Sequence, residues 1–238
     1  MNINFSKIPS KCTHIKLDIG LSYNAWHSEI WLDKEDDLVV IGIEPEPNSI
    51  ECIKTGIIDR NKIGKLTTGK PFNTKYIEDN RFILLPYAVD NVDKLVTKKM
   101  YIEDGDVGTS SLYEFNNSTT NFSVREIVDV KVINLKMLFD IFPWDKFQYI
   151  DYIKVDTQGA DLNVLKSAGN YLKDKVVYVT VEADGHQYKD SDAFIKNIVE
   201  YMISQDFIYI NHRNTNDPTF LNKKYAHLSN DIFIIQNN

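Results

Sequence analysis

IDYIKVDTQGAD, residues 150–161, begins as an alternating apolar run and then sets Asp156, Gln158, Gly159 and Asp161 within six positions. The first half reads as a buried strand. The second half has two readings: a turn that leaves a sheet and caps the next helix, or the rim of a site. Directly after it, ADLNVLKSAGNYL places Leu162, Leu165, Ala168 and Leu172 on one face at helical spacing. The stretch is therefore a strand–turn–helix unit, and the same unit recurs along the chain.

Upstream, HIKLDI (His14 to Ile19) is a short strand ending at Gly20, and SEIWLDK after it carries helical spacing. Leu38 to Ile43 is a near-continuous apolar strand stopped at Glu44-Pro45, where proline cannot donate to a ladder. SIECIKTGI follows as a helix, and Phe82 to Leu85 is a third strand, closed by Pro86 and running on to Asp90. Downstream, KVVYVTVEA gives a strand ending in Glu182, and SDAFIKNIVEYMI gives a helix with Ser191 at its cap and Phe194, Ile198, Tyr201 and Met202 on one face. DFIYINHR and NDIFIIQ, joined by a polar loop, make a closing antiparallel hairpin. Residues 91–146 break the rhythm with a Gly, Ser, Thr and Asn cluster, then a Val/Ile-alternating strand leading into a short helix. They form an insertion over the sheet edge. Strands alternating with helices predict one α/β domain over residues 1–238, a mostly parallel sheet with helices on both faces.

The 238-residue length suffices for one full core, and 43% apolar with 26% charged residues is an ordinary globular balance. A net charge of -7 argues against a nucleic-acid partner, because phosphate binding needs clustered Lys and Arg. Cys12 and Cys52 stand far apart without a CxxC or a neighbouring histidine, which signals neither a zinc site nor a disulfide framework and fits a reducing cytoplasm. No run approaches the ~20 apolar residues of a membrane span, so no membrane span is expected.

Sheets of this kind bind ligands at the carboxyl ends of their strands. Asp18, Glu44, Asp90, Asp156 and Glu182 all fall there, more acids than turn chemistry requires. A carboxylate just past the second strand can accept from both hydroxyls of a ribose, and Glu44 has that position. The first turn, DIGLSYNA, offers only Gly20 for close approach of backbone to ligand and does not match G-x-G-x-x-G, which disfavours a dinucleotide. A nucleoside carrying positive charge in place of phosphates would welcome Asp18.

In this order, IKLDIG, VIGIEPEP, LLPYAVDN, GTSSL, VINLKMLFD, IDYIKVDTQGADLNVLKSAG and VVYVTVEA resemble the FkbM family of methyltransferases, over roughly residues 14 to 236. The resemblance implies a Rossmann-like class I fold with a seven-stranded sheet, S-adenosylmethionine as cofactor, and methylation of a hydroxyl, with a sugar, glycan or related small molecule as acceptor. The chain departs from the family in having Gln158 where an acid is usual, Ser167 where glycine is, and GLSYNA in place of Gly-Ala-Asn-x-Gly. By the same resemblance Asp18 and Gly20 support the methionine part of the cofactor, with Tyr23 and Asn24 in the same loop. Glu44 holds the ribose, Pro45 and Glu46 lie beside the adenine, Ala88 and Asp90 contact its edge, and Asp156 lies near the sulfonium and the acceptor.

Methyl transfer is an in-line displacement, so the chief demands are alignment and exclusion of water, with a base as an aid to an alcohol acceptor. Asp156 and His186 are the candidate bases. A purely positioning role stands beside catalysis for Asp156, and an exposed loop position is the plainer reading of His186. Gln158 is expected to hydrogen-bond acceptor or cofactor. Asp156, Asp161, Glu182 and His186 could also supply ligands to Mg²⁺, though without diagnostic spacing; no metal is expected. GTSSL (Gly108 to Leu112) is either a loop covering the site or a plain surface turn. Trp26 and His27 could face a sugar. Two other classes remain: a dinucleotide-dependent enzyme, and a binding protein that kept the fold without turnover.

Overall fold

The computed structural model describes residues 3–210 and 216–228. Its first half alternates β1 (His14–Ile19), α1 (Trp26–Lys34), β2 (Leu38–Ile43) and α2 (Pro47–Thr55), then passes through the single turns α3 (Arg60–Ile63) and α4 (Lys75–Glu78) into β3 (Phe82–Leu85). β4 (Ala88–Val89), β5 (Val96–Glu103), β6 (Val124–Ile133) and α5 (Leu135–Phe139) follow. β7 (Ile150–Val155), α6 (Asp161–Ser167), α7 (Tyr171–Lys175), β8 (Val176–Val181), α8 (Ile195–Ser204), β9 (Phe207–Tyr209) and β10 (Thr219–Asn222) complete the order.

Among the described residues, seven strands form the main sheet in the order β3-β2-β1-β7-β8-β10-β9. All its pairings are parallel except those of β10, which runs antiparallel to both β8 and β9. This is the Rossmann-like arrangement expected of the sequence. β1 lies between β2 and β7, so the strand order switches direction there and the crevice opens at the carboxyl ends of β1 and β7.

Period-two alternation divides the sheet's two faces. Ile15, Leu17 and Ile19 join Val39, Ile41, Ile43, Ile153 and Val155 in the larger core. The opposite face of β1 turns Lys16 and Asp18 toward α1, among a second cluster that includes Trp31, Leu32, Leu38 and Val40. Lys16, only 2% exposed, is neutralised there by Glu35 at 2.5 Å.

Four local expectations need correction. The single helix after β7 is two short ones, because Gly169 turns the chain at φ +57. Ser191 does not cap α8, which starts at Ile195; its hydroxyl instead donates to the Gly159 carbonyl at 2.7 Å. The hairpin partner of β9 is β10, within the stretch expected as polar loop, and the expected strand at residues 230–236 lies outside the described residues. The insertion contains a strand with no apolar run to announce it: β5 (VTKKMYIE) puts Lys98, paired with Asp90, on the same face as Met100 and Ile102 and exposes Lys99 on the other, and it pairs antiparallel with β6 in a separate three-stranded sheet, β4-β6-β5.

Candidate functional site

At the switch point β1 and β7 end in close contact. Gly20 has φ +86, and a Cβ there would lie 1.6 Å from the Asp156 carbonyl oxygen. Only glycine lets the exit of β1 pass the end of β7. The close approach expected between Gly20 and a ligand is thus made first to the protein's own backbone, although Gly20 also lines the cavity described below.

Glu44 ends β2 with its carboxylate turned back across this junction. Oε2 accepts from the backbone N–H groups of Leu21 (3.1 Å) and Ser22 (2.9 Å), and Oε1 accepts from that of Glu46 (2.9 Å). A carboxylate has about four acceptor sites, so one remains, on Oε1. A two-hydroxyl ribose clamp on Glu44 would displace an amide; one hydroxyl fits as the residue stands. Burial pushes its carboxyl up to about 8, against the lowering effect of the three amides. Glu46 faces its own helix, capping α2 through Ser49 N–H.

Asp18 is 1% exposed; its Oδ2 accepts from Ser28 in the first turn of α1 at 2.7 Å, and its Oδ1 has no hydrogen-bond partner. Lys154 Nζ stands 3.9 Å from that unpartnered oxygen and 2.9 Å from Asp156 Oδ2. Lys154, from the next inward position on β7, was missed as a site residue; the alternation of IKVD, which puts it on the same face as Asp156, is the signal that marks it.

A cavity opens above these strand ends, enclosing with its open mouth about 570 Å³ of empty space. Ile19, Gly20, Ile43, Glu44, Pro45 and Asp156 form its sheet wall, and Ala88 and Val89 close one end. The opposite wall is the insertion: Met100, Val107, Gly108, Ser110 and Leu112. Residues 108–112 therefore cover the cavity. They are tied down by Ser111 Oγ, which donates to the Gln158 carbonyl at 2.5 Å.

Several expected residues lie elsewhere. Tyr23 is buried in the insertion's core cluster, and its hydroxyl accepts from Gly69 N–H at 2.8 Å. Asn24 lines a separate groove with Trp26 and Glu29, because the left-handed Ala25 at the head of α1 turns this segment off the rim. Asp90 is absorbed by Lys98 at 2.5 Å and Asn91 N–H at 2.7 Å. His186 is 57% exposed and 3.9 Å from Asp184, outside the cavity lining. The four residues weighed for magnesium do not assemble either: Asp161 turns both carboxylate oxygens onto Thr157 and Gly159 of its own turn. Among the described residues no cluster of three His, Cys, Asp or Glu has metal-binding geometry.

Asp156, on the cavity wall, meets Glu182, which lies behind the lining, at the side chain of Gln158. Gln158 Nε2 donates to Asp156 Oδ1 at 2.7 Å and to Glu182 Oε2 at 2.6 Å. Burial alone would raise the Asp156 carboxyl, but Lys154, Glu182 and Gln158 together hold it below the ordinary range. Burial and the Asp156 charge push Glu182 the other way, to about 11. The arrangement is an apolar slot with a buried acid at the end of β2 and an ionised acid at the end of β7.

A family model described as the Methyltransferase FkbM domain matches residues 16–209. No curated protein and no solved structure matches the chain.

Proposed function

This chain belongs to the FkbM methyltransferase family, and from that premise we propose that it transfers a methyl group from S-adenosylmethionine to a hydroxyl of a sugar, glycan or related polyhydroxylated small molecule. The observation that carries the reading is the cavity at the switch point, with Glu44 and Asp156 on one wall of an otherwise largely apolar slot. The residues present fit that cofactor. Ile43, Ala88, Val89 and Met100 suit a flat base, Glu44 has an acceptor site for a ribose hydroxyl, and a cation is favoured beside the Asp156 carboxylate, while Asp18 lies behind the lining with its free oxygen toward Lys154. When bound, the cofactor supplies an electrophilic methyl group on a sulfonium.

What the protein contributes is alignment and dryness. Asp156 accepts a hydrogen bond from the acceptor hydroxyl on the lone pair that Lys154 and Gln158 leave it, and so aims the oxygen. It does so as a positioning anion rather than a base, because a carboxyl held below its ordinary range is poorly matched to proton abstraction near neutral pH. Residues 108–112 cover the site and keep water from the reacting pair. Gln158 lines the cavity, and with both ends of its amide held by protein groups it acts on the site chiefly through Asp156 and Glu182. Cys12 and Cys52, both buried and free, support a reducing cytoplasmic setting, and the net charge of -7 supports a small-molecule or glycan acceptor over nucleic acid. Among the described residues no helix is long and apolar enough to cross a membrane.

The test is calorimetric titration with S-adenosylhomocysteine, with NAD as control, followed by transfer of isotopically labelled methyl to a panel of glycans and polyols. Micromolar binding of the first ligand alone, with label appearing on an acceptor oxygen, is the expected result. No binding of either ligand by folded protein overturns the reading.

A further inference from the structure

Gln158 contacts both carboxyls of the site, and its own placement is unusually constrained. It holds φ +54, a left-handed backbone uncommon for a residue with a Cβ. Ser111 fixes its carbonyl from one side at 2.5 Å. The following Gly159 lies flat on the Tyr188 ring, where a Cβ would come within 2.8 Å of a ring carbon. From there the Tyr188 hydroxyl donates to Gln158 Oε1, which fixes the orientation of the amide. Nε2 can then point only toward Asp156 and Glu182, and both of its hydrogens are used.

Two carboxyls within reach of one nitrogen repel each other when both are ionised. Their surroundings decide which keeps the proton. Asp156 faces Lys154 on its own strand at 2.9 Å, with Asp18 on β1 and His27 on α1 further along the same side. Glu182 faces Asp161 at the head of α6, Asp184 beyond β8 and Tyr188; among the described residues it has no cation at ion-pair distance. We propose that Gln158, aimed by Tyr188, is a positioning residue that holds Asp156 and Glu182 as a carboxyl pair sharing one proton, with the charge on Asp156 and the proton on Glu182. For the reaction, and here the inference rests on the proposed function, the pair presents one negative charge to the transferring cation and one acceptor to the incoming hydroxyl.

The test is a carboxyl titration by NMR on whole protein labelled with ¹³C at its Asp and Glu side-chain carboxyls, without ligand. Asp156→Asn and Glu182→Gln assign the two signals. The expected result is Asp156 ionising below the ordinary carboxylate range and Glu182 remaining protonated well past neutral pH. In Gln158→Leu the lost donor raises the Asp156 midpoint by about one pH unit. Tyr188→Phe keeps the ring against Gly159, frees the amide to turn its oxygen toward the carboxyls, and moves Asp156 the same way. Glu182 ionising with ordinary carboxylates in the wild type overturns the proposal. So does an unmoved Asp156 in whichever of the two variants folds, and the wild-type titration decides alone if neither does. Titrating S-adenosylhomocysteine into the same samples keeps the two readings apart. Binding with the wrong ionisation order overturns the carboxyl pair alone, and the right order without binding overturns the cofactor reading alone.

Discussion

Replacing Glu44 with glutamine separates its two duties. The carboxylate takes three backbone N–H donors and keeps one acceptor site on Oε1. Glutamine with its oxygen at the Oε2 position keeps the Leu21 and Ser22 donors but turns an NH₂ toward Glu46 N–H. The stranded donor costs about 1–3 kcal/mol of stability, and for a chain of this size each kcal/mol lowers the thermal midpoint by about 2–4 °C. The same NH₂ cannot accept from a ribose hydroxyl. Loss of a hydrogen bond to a charged acceptor, about 1.5–3 kcal/mol, weakens S-adenosylhomocysteine binding about 10- to 150-fold. The binding loss is largest at pH 9, where the wild-type carboxyl, held up to about 8 by burial, is ionised, whereas the stability loss is smallest there because the wild type has by then lost the benefit of its raised value. Because a donating ribose favours the anion, wild-type affinity rises from pH 6 to pH 9 with proton release, while the glutamine variant stays flat. Calorimetry in buffers of different ionisation enthalpy reads both affinity and protons. A glutamine variant that binds as tightly as wild type at pH 9 removes Glu44 from the nucleoside site.

Gly20→Ala puts a Cβ 1.6 Å from the Asp156 carbonyl oxygen in a left-handed backbone, so about 3–5 kcal/mol is lost; a thermal midpoint within about 2 °C of wild type shows that the strand exit has slack. Lys16→Met leaves Glu35 as an unpaired buried charge, at a cost of about 3 kcal/mol. The double variant Lys16→Met/Glu35→Met recovers most of that in urea denaturation, and no recovery means the pair is not the source of the loss. Stability of the ligand-free protein falls from pH 6.5 to 9. Glu44 and Glu182 carry raised folded-state values, so their contribution is complete below the unfolded carboxyl range and is lost as pH climbs toward the folded ones. A urea midpoint that rises over this interval contradicts it.

The parallel strands were legible because burial on both faces writes them as apolar runs: LVVIGI of β2 is buried throughout. β5 was not, since Lys98 on the face of Met100 and Ile102 and Lys99 on the other interrupt any such run, and its pairing with β6 is a long-range choice. At the site, Glu44, Pro45, Gly20, Ala88 and Asp156 line the cavity as position in the chain suggested. Tyr23 and Asn24 do not, because the left-handed Ala25 is a backbone event that local pattern does not encode. Tyr188 was invisible for another reason: its role comes from reaching Gln158, thirty positions away in sequence, and nothing in the Gly185–Gln187 turn before it announces that reach.

The cavity has two walls with separate origins. One belongs to the ends of β1, β2 and β7, whose shape is dictated by a junction that tolerates no Cβ at Gly20. The other belongs to a hairpin and loop that pack Met100, Ile102 and Val107 into a core cluster of their own and meet the end of β7 through Ser111, whose hydroxyl donates to the Gln158 carbonyl. Change at Gly20 damages the sheet, whereas Leu112, half-buried on the insertion wall, can be exchanged without touching that junction. On the proposed function, the junction at Gly20 leaves the strand ends little room to vary, and a change in what the cavity admits would collect at positions such as Leu112 on the insertion wall.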